Sequence, residues 1–227
     1  MGAQEVKPAF YALQPGGWRD YVTLLHLPYT LWHLSYVVLG AALAPHFRTD
    51  RMLWTLAAFA LALGVSAHAL DELNGRPLRT QIPAPALVAL AIATLAGACA
   101  IGVWAAVAWG HGLLAFVAVG AFVVPAYNLE WFGGRLHNEL GLALSWAAFP
   151  VLTAYFAEAQ TIRVEAVLAA GYAAALIVVQ RTLSTPVRHA RRQLGTTAGV
   201  EPLERALRIL PWANVLLAAA LLTWRLT

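Results

Sequence analysis

The sequence predicts an all-α integral membrane protein, a polytopic bundle of about seven transmembrane helices. Sixty per cent of the 227 residues are hydrophobic and only 11% are charged. A soluble domain cannot bury that much apolar surface, so the bilayer must solvate most of the chain. Long apolar stretches alternate with short polar ones, which is the pattern of a chain that crosses a membrane repeatedly.

Seven apolar segments are long enough, or nearly long enough, to cross a bilayer. They are predicted at about residues 21–45, 52–70, 85–109, 112–128, 139–158, 164–183 and 207–226. The fourth is the shortest. Residues 1–20 are too polar for a secretory signal peptide and are predicted to form a cytoplasmic N-terminal segment. Residues 21–227 are then a single transmembrane domain.

The distribution of Lys and Arg predicts the orientation. Eleven of the fifteen lie in the N-terminal segment and the loops on its side, and four lie on the other side. Because basic loops stay in the cytoplasm, the N-terminus is predicted to be cytoplasmic and the protein to reside in the cytoplasmic (inner) membrane. The same rule accounts for the net positive charge without a nucleic-acid partner. The expected partner is a membrane lipid or an isoprenoid.

A first polar patch, HALDELNGRP at residues 68–77, follows the second apolar segment. On a helix His68, Asp71 and Glu72 share one face, which suits ligands to one cation. The alternative is that the two acids cap the helix end in the headgroup layer while His68 bonds a neighbouring helix. Acidic residues oppose the macrodipole at a helix C-terminus, so capping explains them poorly.

A second patch, YNLEWFGGRLHNELG at residues 127–141, lies on the same predicted side. Its paired glycines break the helix, so Glu130 ends one helix and His137 precedes the next. Glu139 suits a helix N-terminus and is expected to be structural. Two histidines and three carboxylates could bind a divalent ion, and the mixture favours Fe, Mn or Zn over Mg. The predicted metal ligands are His68, Asp71, Glu72, Glu130 and His137.

A third region, QRTLSTPVRHARRQ at residues 180–193, is rich in arginine. Guanidinium groups bind phosphate oxygens bidentately, so a phosphate or diphosphate clamp is one interpretation. For Arg191 and Arg192, contact with anionic lipid headgroups is the simpler interpretation. Arg181 and Ser184 lie nearer the membrane and are better candidates for a cavity. His26 and His33 are interpreted as hydrogen-bonded core or interfacial residues, with haem ligation as an alternative.

In this order the features resemble the UbiA superfamily of intramembrane prenyltransferases. LHLPYTLWHLSYVVLGAALAP resembles that family's first helix, and HALDELNGRPLRTQIP falls where its first aspartate-rich motif lies. AYNLEWFGGRLHNELGLALSWAAFP resembles its junction between helices 4 and 5. The chain departs from the pattern where His68 replaces an asparagine, Ala69 and Arg76 replace aspartates, and an arginine-rich stretch replaces the second acidic motif.

The resemblance implies a UbiA-like bundle with about nine helices, and magnesium ions that carry a prenyl diphosphate. It therefore implies a transferase-like enzyme, dependent on a divalent metal ion (Mg, or Fe, Mn or Zn), that acts on an isoprenoid or another lipid. The candidate catalytic residues are Asp71, Glu72 and Glu130. The candidate substrate-binding residues are Asn74, Arg76, Arg79, Tyr127, Asn128, Arg135, Arg181 and Ser184.

Two other functions fit the same residues. The loss of the diagnostic motifs and the small size suit a non-catalytic UbiA-like subunit that binds a quinone, pigment or lipid in a larger membrane complex. An intramembrane cyclase in which Glu130 or Asp71 protonates an isoprenoid would need no diphosphate and would explain the missing second motif.

Overall fold

A computed structural model describes residues 6–227, and every regular element in that range is helical. Three of the helices contain a π-helical segment, at Ala60–Ala67, Leu144–Ala148 and Ala190–Leu194. Numbered in chain order, the helices of this range are α1 (Trp18–Leu24), α2 (Leu27–Leu43), α3 (Thr49–Leu73), α4 (Ala84–Trp109), α5 (Leu113–Asn128), α6 (Glu139–Ala159), α7 (Val164–Leu194) and α8 (Glu201–Leu226).

Five of these helices, α3, α4, α6, α7 and α8, are long and apolar enough to cross a membrane. The pair α1 and α2, bent by 42°, makes a sixth span if it crosses as one unit. Helix α5 is apolar but has only 16 residues. The all-helical membrane architecture predicted from the sequence is therefore confirmed. The predicted count of seven is not, because the segment at 112–128 is too short to count as a span.

The predicted first span, residues 21–45, is broken at His26. This residue adopts a left-handed conformation, with φ of 46°, immediately before Leu27 begins α2. Pro28 follows within the first turn of α2, where its missing N–H group costs no hydrogen bond. The bend brings the His26 ring against the end of α3, where His68 lies.

Helix α2 packs closely against α6 and α8 at the centre of the bundle. A Cβ atom on Gly40 would lie 2.2 Å from the carbonyl oxygen of Val151, so only glycine permits this crossing of α2 and α6. On the α8 side, Asn214 Nδ2 donates a hydrogen bond of 2.6 Å to Ser35 Oγ. Both contacts fix the position of α2, whose first turns carry residues of the site described below.

Helix α7 extends well beyond the predicted 164–183. Pro186 lies inside it, yet the helix continues, because proline removes one hydrogen bond without always ending a helix. The arginine-rich stretch is consequently helical, although the sequence suggested a juxtamembrane loop. Helix α8 also begins earlier than predicted, at Glu201, so the connection between α7 and α8 is short.

Candidate functional site

A polar cavity of about 280 Å³ opens between the helices at the end of the bundle that carries the two polar patches. The walls are the first half of α2 and the last turns of α3, α5 and α7, together with part of α6. Residues 8–11 of the N-terminal segment form its cover. We call this space the polar cavity.

His68 and Asp71 line the polar cavity, as expected from their spacing on α3. His68 Nδ1 lies 3.1 Å from the carbonyl oxygen of Gly64, within the π-helical segment. A carbonyl oxygen only accepts, so in the neutral ring Nδ1 carries the proton and Nε2 keeps a free lone pair. Asp71 is half-buried, and the positive charges of Arg192 and Arg188 act on its carboxylate.

Glu72 is fully buried but does not line the polar cavity. Its carboxylate accepts hydrogen bonds from the backbone N–H groups of Leu78 (2.9 Å) and Thr80 (2.8 Å) and from the Thr80 hydroxyl (2.8 Å). Adjacent helical residues point about 100° apart, so Glu72 diverges from Asp71. This placement does not support the predicted metal-binding and catalytic roles of Glu72, which instead anchors the loop between α3 and α4.

The two polar patches meet, as the site hypothesis requires. Asn74 Nδ2 donates a 3.2 Å hydrogen bond to the carbonyl oxygen of Asn128, joining the ends of α3 and α5. Tyr127, Asn128 and His137 line the polar cavity. The Tyr127 and His137 rings stack with centroids 4.5 Å apart, and His137 Nδ1 lies 3.1 Å from the Tyr127 carbonyl oxygen.

Glu130, in contrast, is exposed, and its carboxylate lies 4.0 Å from His137 Nδ1 outside the cavity wall. Within residues 6–227, no three His, Cys, Asp or Glu side chains form a group that could hold a metal ion. The five predicted ligands therefore do not all meet, because His68, Asp71 and His137 line the polar cavity while Glu72 faces the loop and Glu130 is exposed. Only Asp71 offers the cavity an oxygen donor from that set. These residues do not fit the pair of magnesium ions implied by the resemblance, and a metal ion stays a prediction.

Four of the eight predicted substrate-binding residues line the cavity, namely Tyr127, Asn128, Arg181 and Ser184. The other four do not. Arg76 donates to the carbonyl oxygens of Thr80 and Ile82 within its own loop, and Arg79 donates to the Arg192 carbonyl oxygen. Asn74 bridges α3 to α5, and Arg135 is exposed.

Several cavity residues were not predicted as site residues. His26 and His33, interpreted from the sequence as core or interfacial, both line the cavity, and their Nε2 atoms are buried with no hydrogen-bond partner in the described chain. Arg188 and Arg192 also line it. The seven-residue spacing of the two histidines was the available signal. The direction of the Arg188 and Arg192 side chains could not be predicted without knowing that α7 continues through Pro186.

A segment that we call the strap, residues 7–13, covers the open end of the cavity. Arg191 Nη1 donates to the Lys7 carbonyl oxygen (3.0 Å), and the Arg208 guanidinium lies 4.8 Å from the Phe10 ring centroid. Glu204 orients both arginines, with contacts of 2.7 Å to Arg191 and 2.6 Å to Arg208. A buried, shared carboxylate of this kind holds the strap in one position.

Tyr11 of the strap lines the polar cavity and packs against residues of its wall. Its ring centroid lies 5.2 Å from that of His26 and 5.7 Å from that of Tyr29. Burial raises the pKa of the Tyr11 hydroxyl above its usual value, so the group stays protonated and can donate a hydrogen bond.

An apolar groove of about 100 Å³ lies beside the polar cavity, between α3, α4, α5 and α6. Val124 lines the groove and Tyr127, one turn further along α5, lines the cavity. On α6, likewise, Ser145 lines the groove and the adjacent Trp146 lines the cavity. The Tyr127 and Trp146 rings, with centroids 4.5 Å apart, form the boundary between the two spaces.

No family model, curated protein or solved structure matches this chain significantly.

Proposed function

We propose that this chain is a UbiA-like intramembrane enzyme that acts on an isoprenoid or another lipid, with chemistry related to prenyl transfer. One observation carries the proposal: Asp71 and His68 share a polar cavity that adjoins an apolar groove within a helical membrane bundle. An amphiphilic substrate has the same division into a polar head and a hydrocarbon chain. The basic loops favour a cavity that opens to the cytoplasm.

The residues of the cavity have distinct roles in this proposal. Asp71 is the acid or base, because its carboxylate lines the cavity and accepts no hydrogen bond from the described residues. In a prenyl transfer the bond from the allylic carbon to the diphosphate oxygen breaks, a bond to the acceptor forms, and Asp71 takes the acceptor's proton. His68 Nε2 is a second acceptor, and Tyr127 and Trp146 flank the passage to the groove.

The proposal is tested by diphosphate release from farnesyl diphosphate, with protein in nanodiscs and a bacterial lipid extract as the acceptor source. Wild type is expected to release diphosphate, and Asp71→Asn is expected to be roughly a hundredfold slower. Asp50→Asn is the matched control, because Asp50 is an exposed carboxylate that pairs with Arg48 elsewhere on the chain. No release by wild type, or equal rates for both variants, would contradict the proposal.

A second candidate function is a non-catalytic subunit that binds a quinone within a larger membrane complex. The unpartnered Nε2 atoms of His26 and His33 favour it, because a buried imidazole nitrogen requires a polar partner and a quinone carbonyl or hydroxyl can provide one. Extraction of the purified protein with organic solvent separates the two functions. A stoichiometric quinone together with co-purifying subunits, and no turnover, would favour the subunit. A cyclase would convert an isoprenoid that lacks a diphosphate, and it would also depend on Asp71.

A further inference from the structure

Helix α7 lines the polar cavity with four arginines, and three of them have no carboxylate partner among the described residues. Arg181, Arg188 and Arg192 are separated by seven and four residues, a spacing that aligns them along one face of a helix. Ser184 lies on the same face, and its small side chain leaves space beside Arg181 and Arg188. The arginines therefore form a row that runs from the middle of the cavity to its cover.

These three charges have no carboxylate partner in the described part of the chain. Arg181 Nη1 lies 3.5 Å from the Tyr127 hydroxyl, and Arg188 Nη2 lies 3.4 Å from the Thr185 hydroxyl, so both hydrogen bonds are long. Arg192 Nε is buried and unpartnered among the described residues. The fourth cavity arginine, Arg191, differs because it pairs with Glu204, a carboxylate that it shares with Arg208.

Asp71 is the only carboxylate among the described residues that line the polar cavity. Three guanidinium groups against one carboxylate leave a surplus of positive charge in a partly dry space. Uncompensated charge is costly there, and an anion removes that cost. A divalent cation entering beside the three arginines would be repelled and would find too few oxygen donors.

We propose that the polar cavity binds a phosphate or diphosphate group directly through Arg181, Arg188 and Arg192, without a divalent metal ion. The planar guanidinium fork matches two phosphate oxygens at once, and the protonated Tyr11 hydroxyl adds a neutral donor from the strap. The anion belongs either to a diphosphate substrate or to the headgroup of a membrane phospholipid. This inference rests on the proposed function for the identity of the ligand, but the binding of a bare anion can be tested separately.

The first test is isothermal titration of the detergent-purified full chain with inorganic pyrophosphate, in EDTA and then in Mg²⁺. Binding in EDTA is expected, and it should weaken roughly tenfold in Arg188→Gln and in Arg192→Gln, because each removes a charge-assisted hydrogen bond. Arg188→Lys keeps the charge and should fall between wild type and Arg188→Gln. Arg205→Gln is the control, since Arg205 is an exposed arginine near the same end and should leave binding unchanged.

The outcomes separate the possible failures. Binding that requires Mg²⁺, or that falls equally in Arg205→Gln and Arg188→Gln, would overturn the inference. Arg188→Lys keeps the positive charge at this position. Intermediate pyrophosphate binding by this variant would show that the weaker binding of Arg188→Gln does not come from misfolding. Pyrophosphate binding without turnover of farnesyl diphosphate would leave the inference intact and defeat the proposed enzyme.

The source of the anion is decided by competition. Short-chain phosphatidylglycerol that displaces pyrophosphate in wild type, with no displacement by farnesyl diphosphate, would assign the arginines to a phospholipid headgroup. Displacement by farnesyl diphosphate alone would assign them to the substrate. Displacement by neither would overturn the inference, because a phosphate site of this kind must accept one of the two.

Discussion

The imidazole rings of His26 and His68 stack with their centroids 4.1 Å apart and their planes 20° from parallel. This contact joins the break between α1 and α2 to the end of α3, at the wall of the polar cavity. It depends on two local features, the left-handed backbone at His26 and the π-helical segment before His68. Such departures from regular helix often occur at functional sites.

The stack predicts a difference between two substitutions of His68. His68→Phe keeps an aromatic ring against His26, whereas His68→Ala removes it and leaves a space. An aromatic pair contributes about 1 kcal/mol beyond area burial, so His68→Ala should unfold at least about 2 °C below His68→Phe. Thermal unfolding in detergent, followed by circular dichroism, measures the difference. Equal midpoints would mean that the contact contributes nothing.

Glu72 is predicted to control the loop between α3 and α4. Glu72→Ala removes the acceptor for three hydrogen bonds and leaves two backbone N–H groups buried, at a cost of about 1–3 kcal/mol each. The loop should loosen, and trypsin should then cleave after Arg79 faster than in wild type, whereas the bond after Arg76 resists trypsin because Pro77 follows it. Glu139→Ala, which removes an exposed carboxylate, is the control. A Glu72→Ala loop as resistant as the wild-type loop would refute the anchoring role.

Two glycines should respond oppositely to alanine. At Gly40 a Cβ atom would meet the Val151 carbonyl oxygen at 2.2 Å, so Gly40→Ala should force α2 from α6 at a cost of about 1–3 kcal/mol or more. At Gly171, in α7, nothing lies within 4 Å, and alanine should stabilise the helix by about 0.5–1 kcal/mol. Unfolding midpoints compare the two variants. A tolerated Gly40→Ala would show that the crossing is looser than described.

The strap should loosen when its shared carboxylate is lost. Glu204→Gln leaves the nearly buried Arg191 without its charge partner, which weakens the hold on Lys7 and Phe10. With Cys99→Ala as background, the rate of maleimide labelling of Ala9→Cys reports exposure of the strap. We expect labelling roughly tenfold faster in Glu204→Gln. Glu201→Gln, which removes an exposed carboxylate from the same helix, should label like the background. Equal labelling rates in the two variants would show that Glu204 does not hold the strap.

Sequence reasoning located the cavity at the correct end of the bundle, because ionisable residues in apolar surroundings are rare enough to stand out. It placed His68 and Asp71 on the wall from helical spacing alone. It could not separate Asp71 from Glu72, since hydrogen bonds to a loop decide which acid faces the cavity. For the arginine-rich stretch it gave a phosphate clamp as one interpretation but favoured lipid headgroups for Arg192, because the direction of Arg188 and Arg192 depends on α7 continuing through Pro186. The inward direction of His26 depends on a backbone bend that spacing does not encode.

Native mass spectrometry of the purified protein counts the molecules bound in the polar cavity, which we propose to be an anionic lipid or isoprenoid. Ser184 is buried in the row of cavity arginines, so Ser184→Trp should fill the cavity, while Thr182→Trp places the same bulk on an exposed position of α7. Wild type and Thr182→Trp are predicted to carry one phosphate-bearing lipid or isoprenoid per chain, and Ser184→Trp to carry none. The same adduct in all three proteins, or no adduct in wild type, would contradict the claim.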